Sequence, residues 1–148
     1  MSNKVKIELS EKQYKNLLKL VYLGEWVSQS YNEEPSEELA DAVQAIYEAS
    51  KGNKLENLIE LDEKSKQYFP TAEMEENMLE YIDEYDDNVF WDELVDRMAE
   101  RDFINELGED TVGKMSFEDR IEKEDPFIEK YEDEFGKNGI DNLKLNKD

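Results

Sequence analysis

Forty of the 148 residues are Asp or Glu against 18 Lys or Arg, a formal charge of -22. Such a chain folds only where it can bury apolar side chains while its carboxylates stay in water. A mean hydropathy of -0.92 with this charge matches the composition of disordered chains. Two features point the other way. Leu, Ile, Val and Phe make up about 24% of the residues, above the roughly 20% below which disorder is expected. They also recur at helical spacings, so a folded, charge-strained domain over residues 1–148 is expected.

The absent residue types bound the chemistry. With no Cys and no His, disulfides, thiolate nucleophiles, Cys-ligated zinc, Ser-His-Asp triads and imidazole ligands are excluded. The 6 glycines form no phosphate-binding loop, nucleophile elbow or dinucleotide fingerprint. No cofactor is expected, and the expectation is a protein that is not an enzyme. The acidic balance also disfavours direct binding to nucleic acid or to anionic membranes, both of which need Lys and Arg at the contact. The segment from Met1 to Leu9 has no apolar stretch of the secretory kind, and the longest purely apolar run is Leu20–Leu23, so the cytoplasm is the expected location.

Local patterns predict a mainly α (α+β) fold of about five to seven helices with a small two-stranded sheet. Val5, Ile7 and Leu9 alternate with charged residues as in a short strand, and Ser10 with Gln13 has the capping-box pattern for a helix through Val27, with Gly24 weakening its continuity. Pro35-Ser36 starts a second helix carrying Leu39, Val43, Ile46 and Tyr47 on one face. Leu55, Leu58, Ile59 and Leu61 allow a short third. Met74, Met78, Tyr81, Ile82 and Tyr85 form one face of the next, and Asn88 is placed to cap another that holds Trp91, Leu94, Val95 and Met98 and stops at Gly108. Ser116 begins a last helix that Pro126 is expected to break. Leu143 and Leu145 alternate after the Asn138-Gly139 turn, so the two terminal segments are expected to pair as the sheet.

The acidity is uneven. Residues 1–60 carry a net -4, residues 61–148 a net -18, and Glu73–Asp110 alone a net -14. Opposite the predicted apolar faces lie Glu76, Glu80, Asp83, Asp87, Glu93, Asp96 and Glu100. Only Glu93–Arg97, at i and i+4, offers local relief. A solvated face that confers solubility is the bland reading. The sharper one is a partner-binding surface, because like charges repeated along a helix weaken it and attract basic surfaces. The expected partner is a protein with a basic surface, with mimicry of nucleic acid against a DNA- or RNA-binding protein as one form. The acidic run Glu118–Glu134 enlarges the same surface if it packs beside the first. A carboxylate-based calcium or magnesium site, or a metal-dependent hydrolase, is the alternative from another class. It lacks support in spacing: a calcium loop begun at Asp83 puts Asn88 where glycine is needed and Leu94 where the bidentate Glu belongs. Trp26 and Trp91 read as core residues before interface anchors.

Leu17–Val27, Tyr81–Asp102 and Asn138–Leu143 resemble an uncharacterised group of small acidic bacterial proteins. The resemblance spans most of the chain. It implies a bacterial housekeeping role and assigns no activity, cofactor or site residue.

Overall fold

A computed structural model describes residues 4–55 and 57–145. It is mainly helical, with five helices and one two-stranded sheet among the described residues, in the order α1 Glu11–Gln29, α2 Glu37–Glu48, β1 Ile59–Asp62, β2 Gln67–Pro70, α3 Ala72–Leu107, α4 Glu109–Val112 and α5 Phe117–Asn138. The backbone divides into two compact units, Met1–Asp83 and Glu84–Asp148. Residues 72–83 of α3 belong to the first and residues 84–107 to the second.

In the first unit the predicted caps form. The Ser10 hydroxyl accepts the Gln13 amide while the Gln13 side chain accepts the Ser10 N–H, which satisfies two otherwise orphaned donors. At the start of α2 the Ser36 hydroxyl accepts the Leu39 amide, while the Ser36 N–H donates to the Gln29 side chain (2.7 Å). α1 runs through Gly24 without a break. Leu18, Val43, Tyr47, Leu55, Ile59, Met74 and Met78 make the core, with Tyr14, Ile46 and Tyr68 packed around it. Ile59 therefore enters the core from a strand. The expected third helix is instead a hairpin, in which Ile59 pairs with Pro70 and Asp62 with Gln67. The turn explains the change. Asp62 accepts hydrogen bonds from the Lys64 and Ser65 amides and the Ser65 hydroxyl, and Lys66 adopts a left-handed φ of 61°. Gln44 on α2 then grips β2, donating to the Tyr68 carbonyl (2.8 Å) and accepting the Tyr68 amide (2.9 Å).

The sheet is thus a local hairpin, where terminal pairing had been expected. Val5–Leu9 lies in no helix or strand and forms no ladder, and residues 143–145 form none either. A four-residue turn closes a hairpin at far lower entropic cost than a pairing across the whole chain.

The second unit corrects two helix boundaries. Asn88 does not cap a new helix. Its side chain donates to the Glu84 carbonyl one turn back (2.7 Å), and with no Gly or Pro between residues 72 and 107 the helix is uninterrupted. Residues 83–90 of α3 are exposed, including Tyr85, and so is Tyr81, so neither tyrosine joins the face of Met74, Met78 and Ile82. α5 starts at the predicted Ser116 cap and passes through Pro126, whose missing N–H faces the carbonyl of the exposed Glu122. It stops at Gly139, where φ is 54°, a left-handed value that glycine adopts at little cost. Gly108, with φ 83°, ends α3 as predicted. Val95, Ala99, Tyr131 and Phe135 form the core of this unit, flanked by Trp91, Leu94, Met98, Phe127 and Ile128.

Candidate docking cleft

All seven predicted stripe residues are exposed on α3, but they are not equivalent. Glu76, Glu80 and Asp83 lie in the first unit, opposite the buried Met74, Met78 and Ile82. Asp87, Glu93, Asp96 and Glu100 lie in the second. There Glu93 meets Arg97 (2.9 Å), the relief that its spacing predicts, and Glu100 meets Arg120 on α5 (2.7 Å), which no local spacing foretells. Arg120 also holds Glu124 (3.1 Å). Two of the seven are therefore engaged within the unit.

Asp96 stands in a different setting. It lies on the rim of a cleft of about 460 Å³ formed within the second unit by α3 and α5. The floor is apolar: Trp91 and Val95 come from one helix, Ile128 and Phe135 from the other. Aromatic packing fixes this floor, with the Trp91 and Phe135 ring centres 6.1 Å apart and Phe135 stacked on Tyr131 at 5.5 Å. The rim holds Asp92 and Asp96, one helical turn apart on α3, and Glu132 on α5. None of the three has an ion-pair or hydrogen-bond partner among the described residues. Gly136 leaves the last stretch of the cleft open: a Cβ there would meet no atom within 4 Å, and its φ is not in the left-handed region.

A polar clamp holds the two walls together. Asp102 on α3 accepts the Tyr131 hydroxyl, Lys130 Nζ (2.9 Å) and Arg101 Nη2 (2.7 Å), while Arg101 also donates to the Tyr131 oxygen (3.1 Å). The Lys130 ammonium lies 4.6 Å from the Tyr131 ring centre. The Tyr131 hydrogen bond, helped by Lys130 and Arg101, holds the Asp102 carboxyl well below the usual carboxylate range.

Chemically, the cleft suits a side chain with a hydrocarbon stem and a cationic head. The stem replaces water on the Trp91 and Phe135 faces and the head meets Asp92, Asp96 and Glu132. Among the described residues no group of three or more Asp or Glu side chains is placed to hold a metal ion, and no helix is long and apolar enough to cross a membrane. Sequence reasoning singled out Asp96, and set the run containing Glu132 on the same surface only on condition that it packs beside α3; it missed Asp92. The residue beside Trp91, one turn before Asp96, was the available signal. Comparison with protein-family models, curated proteins and solved structures returns no match.

Proposed function

We propose that this chain is a non-catalytic acidic interaction module that binds a basic, amphipathic segment of a partner protein in the cleft of its second unit. The observation that carries the reading is an apolar floor framed by three carboxylates without cationic partners among the described residues. A solvated face needs no such floor, and a hydrophobic pocket needs no such rim. The combination gives both an anchor and charge selectivity, because a neutral or acidic segment leaves the carboxylates unpaired against it. A nucleic-acid-binding protein is one partner class with the required basic segments; competition by DNA or RNA for the captured partner distinguishes mimicry of nucleic acid from other docking.

The test uses a helical Lys/Leu amphipathic peptide as probe and a Trp26→Phe background, so that emission reports Trp91 alone. Saturable binding with a blue shift is expected at about 0.15 M salt, where screening acts over roughly 8 Å. Neutralising the rim by Asp92→Asn, Asp96→Asn and Glu132→Gln weakens it about tenfold or more, equal to about 1.4 kcal/mol. Neutralising Glu76, Glu80 and Asp83 in the same way leaves it nearly unchanged. Equal losses from the two triple variants, or no change in Trp91 emission, would overturn the proposal.

A further inference from the structure

The segment Lys4–Leu9 is unused by the cleft and belongs to no helix or strand. Its residues are all exposed, and none of its backbone N–H or C=O groups has a hydrogen-bond partner among the described residues. Val5 and Ile7 are 84% and 73% exposed although they are apolar and β-branched. Together with Leu9 they border a second cavity of about 460 Å³, whose other wall includes Leu17 of α1, Ile46 of α2 and Ala49 just past its end. One face of the segment is thus apolar and set over a groove, and the other carries Lys4, Lys6 and Glu8. An exposed segment with alternating apolar residues and unpaired backbone groups can serve as a template for strand addition.

We infer that Lys4–Leu9 pairs antiparallel with the same residues of a second copy of this chain. The sequence is self-complementary in one register. With Ile7 opposite Ile7 of the second copy, Val5 meets Leu9 on the apolar face, and Lys6 meets Glu8 on the charged face, twice over by symmetry. A shift by one residue would move the apolar side chains of one strand to the charged face, so the register is specified. The charge distribution selects the place as well. Residues 4–15 hold four Lys against two Glu, a net +2 in a chain of net -22, so copies that meet here meet where self-repulsion is least.

The test is sedimentation velocity of the full chain over a range of concentrations, with helical CD as the check on folding. A mass rising from 17.5 kDa to twice that value is expected. Lys6→Glu and Glu8→Lys each set like charges opposite one another and shift the dimerisation midpoint about tenfold or more. The double variant Lys6→Glu/Glu8→Lys restores the opposite-charge pairs and returns the midpoint to near the wild-type value. Ile7→Pro removes a ladder donor and abolishes the dimer with helical CD unchanged, since residue 7 lies outside every helix. A wild-type chain that stays at 17.5 kDa at every concentration overturns the inference, even if residues 4–9 prove protected from hydrogen exchange, since another strand then occupies them. A dimer indifferent to all four variants overturns it too, by placing the interface elsewhere.

Discussion

Asp102→Asn tests the clamp that sets the walls of the cleft. Asp102 is 22% exposed as a side chain, whereas its cationic partners Arg101 and Lys130 are 54% and 59% exposed. The two ion pairs are therefore screened and contribute about 0–1 kcal/mol each. The hydrogen bond from the buried Tyr131 hydroxyl to a carboxylate is charge-assisted and contributes about 1.5–3 kcal/mol. Asparagine keeps one acceptor and turns an amide donor towards cations, so the expected loss is about 2–4 kcal/mol, or about 5–15 °C in Tm for a chain of this length. Chemical denaturation followed by CD measures it.

The pH dependence supplies a second, independent readout. The native pKa of Asp102 lies below its unfolded value near about 3.9, so its contribution is fully present above about pH 5 and is lost as pH falls from there through the depressed native value. Acid also discharges the other carboxylates and relieves their mutual repulsion, which acts in the opposite sense. The difference between wild type and Asp102→Asn cancels that background. It should be flat from pH 7 to about 5 and shrink below about 4. A variant within about 0.5 kcal/mol of wild type at pH 7, or a gap that does not change with pH, would refute the clamp.

Two further substitutions probe the first unit. The Tyr47 hydroxyl is buried without a hydrogen-bond partner among the described residues, and burial pushes its pKa up. Tyr47→Phe is therefore expected to stabilise the fold by about 1 kcal/mol in urea denaturation, and a loss of that size would show that the hydroxyl is satisfied. Gln44→Ala removes both bonds to Tyr68 and strands a half-buried backbone pair, at a cost of about 1–3 kcal/mol with faster hydrogen exchange in β2; unchanged exchange there would show that the hairpin is held by apolar packing alone.

Much of the fold was legible residue by residue where the deciding contact is local. Ser10, Ser36 and Ser116 cap helices through partners three positions away, Gly108 stops α3 through its own φ, and Glu93 reaches Arg97 across one turn. The misplaced features are those whose outcome depends on what packs against them. Leu58 to Leu61 fits a helix or a strand equally well until the Asp62 turn and the Gln44 clasp decide, and Asn88 fits a cap until its side chain bonds back to Glu84.

By itself, then, the sequence determined which chemistries are closed to this protein, where most of its helices start, and that its acids gather along α3 and α5. Only the tertiary structure decided which of those acids are free. Glu100 is matched to Arg120 twenty residues away and Asp102 to Tyr131 across two helices, while Asp92, Asp96 and Glu132 frame an apolar floor without such partners among the described residues. Helix caps involve contacts within one turn and are fixed by neighbours in sequence, whereas ion pairs and clefts between helices exist only once distant segments have packed.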